Sequence, residues 1–128
     1  MSKELSVSID VRFADLDAYG HVNSATYFTY METARVRLFM ETFKTLTEKG
    51  VMLVVVNAEC NYKSEIFLTD KVVVTVSLDK IGKTSFDLVY KIHNGGGKLF
   101  AVGKTTLVAI NVEKKTPMPL PEEILKMV

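Results

Sequence analysis

The stretch RFADLDAYGHVNSATYFTYMETAR, residues 12–35, marks a change from β-like to helical sequence. In the segment that leads into this stretch, apolar side chains alternate with polar or small ones, which is the period of a half-buried strand. The alternating apolar residues are Val7, Ile9, Val11 and Phe13. The turn-forming segment DLDAYGHVNS, residues 15–24, then breaks the pattern, and Asn23 or Ser24 is suited to cap a helix. The stretch therefore predicts a first strand, a loop with two aspartates, and a helix.

The helix is expected to be long, because no Gly or Pro occurs from residue 24 to about Glu48 and Gly50 is a natural stop. Seven apolar residues recur at helical spacing. They are Phe28, Met31, Ala34, Leu38, Phe39, Phe43 and Leu46. Other apolar residues, Tyr30, Val36 and Met40, lie off this stripe. We therefore expect the helix to be covered on more than one side.

The remainder of the chain reads as about four strands in a meander, followed by a short helix after Pro121. The strand candidates are VMLVVVNAECNY (51–62), KVVVTVSLDK (71–80), SFDLVYKI (85–92) and LFAVGKTTLVAINV (99–112). Gly103 is a candidate bulge in the last of them. One strand, one long helix and a run of hairpin-linked strands predict an α+β fold, in which an antiparallel five-stranded sheet wraps around one long central helix.

The bulk composition is that of an ordinary globular chain. With 128 residues, 48% hydrophobic and 24% charged, we expect one domain spanning residues 1–128. The formal charge of +1 indicates no broad surface for nucleic acid or an anionic membrane. The single cysteine, Cys60, cannot form an internal disulfide, and the N-terminal MSKELSVSID has no long apolar segment, so a cytoplasmic location is expected. No run approaches the ~20 apolar residues of a membrane helix, so no membrane insertion is expected.

The two aspartates of the loop, Asp15 and Asp17, fit several chemistries. A calcium loop starting at Asp15 would need a closing glutamate where Thr26 stands, and a phosphotransfer Asp-x-Asp would need a parallel sheet with helical crossovers. A simple turn-forming role is the common one for aspartates near a glycine. The alternative is catalytic, because a carboxylate just before the free N–H groups of a helix start supplies a base or nucleophile and an oxyanion donor for acyl transfer. Neither a metal-ligating cluster nor a serine-histidine-acid pattern competes with it.

The motif FADLDAYGHVNSATYFTYMETARVRLF, residues 13–39, resembles the acyl-CoA thioesterases of the 4-hydroxybenzoyl-CoA thioesterase type, which have the hotdog fold. That family carries an aromatic residue, Asp-x-Asp, Gly-His/Ile/Val-Val, Asn-x-x-x-Tyr, and an acidic residue and Arg on the helix. The matching residues here are Phe13, Asp15, Asp17, Gly20, His21, Val22, Asn23, Tyr27, Tyr30, Glu32 and Arg35. The segment after Tyr62 resembles the family's Y-x-x-x-I-x-x-x-D pattern, although Glu65 stands where many relatives have proline. The resemblance covers roughly residues 5–113.

The resemblance implies hydrolysis of an acyl-CoA thioester to free acid and CoA, with Asp17 as nucleophile or general base. A backbone N–H near Ser24 would polarise the thioester carbonyl, and Asp15 would shape the loop. Four further residues are expected to line or shape the substrate pocket: Gly20, His21, Asn23 and Tyr27. Glu32 is the reserve catalytic acid, because some hotdog branches place it on the helix.

For the CoA phosphates the resemblance points to surface lysines, for which Lys63, Lys83 and Lys104 are the candidates. It implies neither a metal nor a cofactor. It implies a homodimer or homotetramer whose sheets join edge to edge, often through the strand after the helix, here VMLVVVNAEC. The alternative function is a non-catalytic hotdog module that binds acyl-CoA or an acyl carrier. The sequence leaves the acyl group, aromatic or aliphatic, open.

Overall fold

The computed structural model describes residues 3–127 as one antiparallel sheet packed against one long helix. A 3-10 turn at Phe13–Asp15 precedes the helix. The helices are α1 (Thr26–Glu48) and α2 (Glu122–Leu125). The strands are β1 (Glu4–Ile9), β2 (Val51–Tyr62), β3 (Val72–Ile81), β4 (Ser85–His93), β5 (Leu99–Asn111) and β6 (Thr116–Pro117). The predicted order of one strand, one long helix and then strands is confirmed, with the two-residue β6 added.

The sheet order is β1-β3-β4-β5-β2, with β6 paired to β5. The predicted four-strand meander is therefore correct only for β3, β4 and β5. Strand β2 pairs with β5 rather than with β3, and β1 pairs with β3, so β1 and β2 lie at opposite edges. The alternation of side chains fixes which face of a strand is buried but not which strand lies beside it, which is why the sequence pattern missed this crossover.

Helix α1 lies across the inner face of the sheet. Its buried residues are Tyr27, Tyr30, Met31, Ala34, Phe39 and Leu46, while Val36 and Met40 are exposed in the single chain. The expectation that α1 is covered on more than one side is thus wrong for Val36 and Met40 within this chain. The expectation that β1 continues to Phe13 is also wrong, because β1 ends at Ile9 and Phe13 is exposed in the 3-10 turn.

Gly103 is not a bulge, contrary to the sequence-based expectation. It pairs in register with Cys60 on β2 and Tyr90 on β4, and the irregularity of the β2–β5 ladder lies instead between Val55 and Asn57. The reason for glycine here is the close approach of α1, because a Cβ at Gly103 would overlap the Met31 sulfur and lie 3.2 Å from the Glu59 carbonyl oxygen. The helix therefore packs on β5 at a point where no side chain fits.

Candidate active site

An open cavity of about 420 Å³ lies where the loop before α1 meets the end of β2. Six of the residues predicted from the sequence line it: Asp17, His21, Asn23, Ser24, Tyr27 and Lys63. The loop is attached to the segment after β2 by short bridges, since Val22 N–H donates to the Ile66 carbonyl at 2.8 Å and His21 pairs with Phe67. The cavity therefore joins two parts of the chain that are about forty residues apart in sequence.

Asp17 is held by its own turn. Its backbone N–H donates to the His21 carbonyl at 2.9 Å, and its Oδ1 accepts the Tyr19 N–H at 2.9 Å. The Gly20 N–H donates to the Asp17 carbonyl at 3.1 Å, and Gly20 has φ +86°, a conformation that favours glycine. The Asp17 side chain keeps 23% of its surface exposed, and its Oδ2 lies 3.5 Å from His21 Nδ1. One carboxylate oxygen thus fixes the turn, and the carboxylate remains accessible from the cavity.

His21 is surrounded by aromatic rings at the rim of the cavity. The Tyr19 ring stacks on it with centroids 6.1 Å apart, and the Phe67 ring meets it edge-on at 6.2 Å. Tyr19 is 86% exposed and Phe67 44% exposed, so the rim is apolar on its outer side. These contacts fix the orientation of the imidazole beside Asp17.

Asp15 faces away from the cavity and is buried. Its Oδ2 accepts the Arg12 backbone N–H at 2.9 Å and the Tyr30 hydroxyl at 2.8 Å, and its Oδ1 accepts the Arg12 guanidinium at 2.9 Å. Burial opposes ionisation most strongly, but these hydrogen bonds together outweigh it and hold the pKa of the Asp15 carboxyl below its usual range. Burial raises the pKa of the Tyr30 hydroxyl most, and its hydrogen bond to the negatively charged Asp15 carboxylate raises it further. Asp15 therefore has a structural role, in which it connects the loop to Arg12 and to Tyr30 on α1.

Ser24 lies just before the start of α1 and lines the cavity together with Asp17. Asn23 Oδ1 accepts the Ala25 N–H at 2.9 Å, and the Asn23 carbonyl accepts the Thr26 N–H at 2.9 Å. Within residues 3–127 the Ser24 N–H has no acceptor. Free N–H groups at a helix start attract negative charge. Ser24, which also lines the cavity, therefore has a backbone N–H available to an acceptor.

Two tyrosines cross at the inner wall of the cavity. The Tyr27 ring meets the Tyr62 ring edge-to-face, with centroids 4.8 Å apart. Burial raises the pKa of Tyr27 to about 12, so its hydroxyl is protonated at neutral pH. Tyr62, Ser64 and Glu65 also line the cavity and were not predicted as site residues. The Y-x-x-x-I resemblance that begins at Tyr62 was the signal that marked this segment.

Other predicted residues lie away from the cavity. Gly20 shapes the Asp17 turn without lining the cavity, and Glu32 borders a different cleft between α1 and β2. Lys104 pairs across strands with Glu59, with Nζ 3.6 Å from Oε1, and Lys83 lies in the β3–β4 turn. Neither of these two lysines lines the cavity, so the CoA role expected for them has no support from its geometry.

The part of the chain from residue 3 to 127 brings no three His, Cys, Asp or Glu side chains together as metal ligands. Neither helix in that part is both long and apolar enough to cross a membrane.

Comparisons with known proteins place this geometry in a family. Residues 11–128 match the model of the thioesterase-like superfamily. The long-chain acyl-CoA thioesterase FadM of Escherichia coli is 29% identical over 123 residues, which cover 94% of this chain and 93% of that protein.

Two solved structures share the fold over nearly the whole chain. The probable thioesterase YbaW of Escherichia coli superposes with a TM-score of 0.88 at 28% identity and covers 98% of both chains. The DHNA-CoA thioesterase of Staphylococcus aureus superposes with a TM-score of 0.83 at 25% identity, covering 96% of this chain and 85% of that one. The predicted hotdog fold and the predicted enzyme class, a thioester hydrolase, are confirmed. The chain therefore belongs to the thioesterase-like superfamily.

Proposed function

We propose that this cavity hydrolyses an acyl-CoA thioester to the free carboxylic acid and CoA, with Asp17 as the catalytic carboxylate. The observation that carries the proposal is the pairing of an accessible carboxylate, Asp17, with a backbone donor that has no acceptor within residues 3–127, the Ser24 N–H. Several relatives are named for acyl-CoA substrates, including a long-chain acyl-CoA thioesterase and a 1,4-dihydroxy-2-naphthoyl-CoA hydrolase. They support the CoA ester class and leave the acyl group open.

The reaction needs one group to supply the attacking oxygen and one to stabilise the oxyanion. As general base, the Asp17 carboxylate removes a proton from water while the water oxygen bonds to the thioester carbon. As nucleophile, an Asp17 oxygen itself bonds to that carbon and forms a mixed anhydride, which water then hydrolyses. In both routes the carbonyl oxygen becomes an oxyanion held by the Ser24 N–H, the C–S bond breaks, and the CoA thiolate leaves and takes up a proton.

The other predicted site residues shape the loop or line the cavity where the substrate binds. Gly20 gives the Asp17 turn its shape, and Asn23 fixes the first turn of α1. His21 and Tyr27 supply ring surface to the wall of the cavity. An aromatic or an aliphatic acyl group fits an apolar wall of this kind, since neither requires a fixed polar partner.

A direct test is thiol release measured with a thiol-reactive dye on a panel of short-chain, long-chain and aromatic acyl-CoAs. The proposal expects turnover of at least one class and dependence of that turnover on Asp17. Binding seen by calorimetry without turnover of any ester would instead support the non-catalytic module that binds acyl-CoA.

The CoA phosphates require a cation near the cavity, and Lys63 is the candidate that lines it. Lys63→Ala is expected to raise KM for acyl-CoA about 3- to 5-fold, the size of one exposed charge contact, with little change in kcat because the contact is equal in ground and transition states. The rise should shrink at high ionic strength. Steady-state kinetics at low and high salt measure both effects.

The matched controls are Lys83→Ala and Lys104→Ala. If the phosphates bind at the cavity mouth, both variants keep the wild-type KM. An equal rise in KM in all three variants would mean that the phosphates do not bind at the cavity mouth, or that only net charge matters.

We also propose a homodimer joined along β2. Within residues 3–127, β2 pairs only with β5, so its other edge is open, and Met52, Val55 and Val56 on it are exposed apolar residues. An open apolar edge of twelve residues is a ready surface for a second copy. Sedimentation velocity measures this directly, and a monomer at micromolar concentration would contradict it. A pair of dimers would appear as a tetramer in the same measurement.

A further inference from the structure

Tyr27 and Tyr62 form a reciprocal tie between α1 and the end of β2, here called the tyrosine clasp. Tyr27, on α1, donates its hydroxyl to the Ser64 carbonyl after β2 at 3.2 Å. Tyr62, on β2, donates its hydroxyl to the Ser24 carbonyl before α1 at 2.7 Å. The two rings cross at 80°. Each tyrosine therefore holds the backbone of the other's segment, and both bonds lie at the cavity.

The Tyr62 bond completes the restraints on the backbone around Ser24. On one side, the Asn23–Ser24 peptide is held through the Asn23 carbonyl, which accepts the Thr26 N–H. On the other side, the Ser24–Ala25 peptide is held at both ends, because its N–H donates to Asn23 Oδ1 and its carbonyl accepts the Tyr62 hydroxyl. The Ser24 N–H belongs to the first of these peptides, and the Ser24 Cα joins it directly to the second, which Tyr62 holds.

This arrangement matters because α1 begins without a side-chain cap. The N-cap residue is Ala25, which offers no hydrogen-bonding side chain. The direction of the first turn therefore depends on Asn23 from within the loop and on Tyr62 from across the cavity. Burial raises the pKa of Tyr62, so its hydroxyl remains a protonated donor through the neutral range.

We propose that Tyr62 is a positioning residue for the thioesterase reaction, and that its hydroxyl, through the Ser24 carbonyl, fixes the Ser24 N–H in the orientation that receives the oxyanion. The inference rests on the proposed function, in which that N–H is the oxyanion donor. A donor that is already oriented stabilises the oxyanion of the transition state without reorganising, whereas a mobile donor must first be ordered as that charge develops. The role of Tyr62 should therefore appear in kcat and not in substrate binding.

The test is Tyr62→Phe, which removes one hydroxyl and keeps the ring that packs on Tyr27. We expect kcat to fall roughly 10-fold, less than the loss of an oxyanion donor itself, with KM within about 2-fold of wild type. The amide of Ser24 should also become more mobile, with its NMR order parameter falling from the rigid range of about 0.85. The matched control is Tyr90→Phe, which removes a buried hydroxyl bonded to Thr105 at 2.7 Å on the sheet, away from the cavity. It should lower the melting temperature without changing kcat or the Ser24 amide.

The two readouts separate the inference from the proposed function. If the wild-type enzyme hydrolyses no acyl-CoA, the proposed function fails, and the Ser24 order parameter alone decides whether Tyr62 orders that amide. If the wild-type enzyme is active, a kcat for Tyr62→Phe within about 2-fold of wild type overturns the inference. An unchanged Ser24 order parameter in Tyr62→Phe overturns the inference as well. So does a loss of activity that comes from a higher KM and not from a lower kcat.

Discussion

Asp17→Asn is expected to lower kcat for acyl-CoA hydrolysis by about 10²- to 10⁴-fold, the range for loss of a general base. The amide neither removes a proton from water nor attacks a thioester. The fold should be unchanged, because the asparagine Oδ1 can still accept the Tyr19 N–H that Asp17 accepts at 2.9 Å. Steady-state thiol release gives kcat, and thermal unfolding shows whether the variant is folded as wild type.

The matched control is Glu32→Gln, the same chemical change at the reserve acid. Glu32 borders a separate cleft between α1 and β2, and its side chain is 65% exposed with Arg35 as its partner at 3.8 Å. Its variant should keep kcat within a few-fold of wild type. If Asp17→Asn kept the wild-type kcat and Glu32→Gln were inactive, the catalytic carboxylate would be Glu32 on the helix and not Asp17.

The nucleophilic route and the general-base route proposed for Asp17 differ in one intermediate that can be trapped chemically. A nucleophilic Asp17 passes through a mixed anhydride. Hydroxylamine added during turnover leaves an aspartyl hydroxamate on the peptide that contains Asp17 when it attacks the aspartyl carbonyl and displaces the carboxylic acid. A general base never bonds to the acyl group, so that peptide keeps its mass. Mass spectrometry of the quenched enzyme distinguishes the two.

The parts of the fold that follow from local pattern were predicted well, and those that follow from distant contacts were not. The helix over residues 26–48 is readable from spacing and from the absence of Gly and Pro. The place of β2 at the far edge is not, because the apolar run in VMLVVVNAECNY carries no information about the neighbouring strand. Gly103 shows the same limit, since the reason for glycine there is the Met31 side chain, seventy-two residues earlier in the chain.

The residues of the candidate site also separate into those that a local sequence motif predicts and those that only distant contacts bring together. Asp17, Asn23 and Ser24 are adjacent in sequence, so a motif can reveal them together. Tyr62 and Ser64 reach the cavity only because the segment after β2 bridges back to the loop at Val22 and His21, and only the family resemblance marked that segment. The resemblance points to surface lysines without saying which of them lie near the cavity, and of the three candidates Lys63 lines it.

Asp15→Asn is expected to lower the free energy of unfolding by about 2–4 kcal/mol at neutral pH, the range for a buried hydrogen-bonded carboxylate that loses its charge and part of its bonding. The buried carboxylate accepts hydrogen bonds from the Tyr30 hydroxyl and from the Arg12 backbone N–H. The Arg12 side chain is 71% exposed, so its ion pair is screened and contributes the smaller part. Urea denaturation of both proteins measures the difference.

The pH dependence of this difference has a definite sign. The pKa of Asp15 is lowered in the folded protein, so its ionised form stabilises the fold above the unfolded-state pKa of about 3.9. That contribution disappears as the pH falls through the lower folded-state pKa. The stability gap between wild type and Asp15→Asn should therefore be largest near neutral pH and should close below about pH 4.

Asp10→Asn is the matched control, because Asp10 is exposed directly after β1 and its variant should lose little stability at any pH. A stability gap for Asp15→Asn that stayed constant down to about pH 2 would mean that shape and hydrogen bonding, and not ionisation, set the cost of the substitution.

The two aspartates of DLD are therefore expected to give opposite results. Asp15→Asn loses stability and retains most of its kcat at a temperature where it is folded, whereas Asp17→Asn loses kcat and retains stability. That opposition distinguishes a framework residue from a catalytic one more sharply than activity alone, because a merely misfolded variant would lose both together.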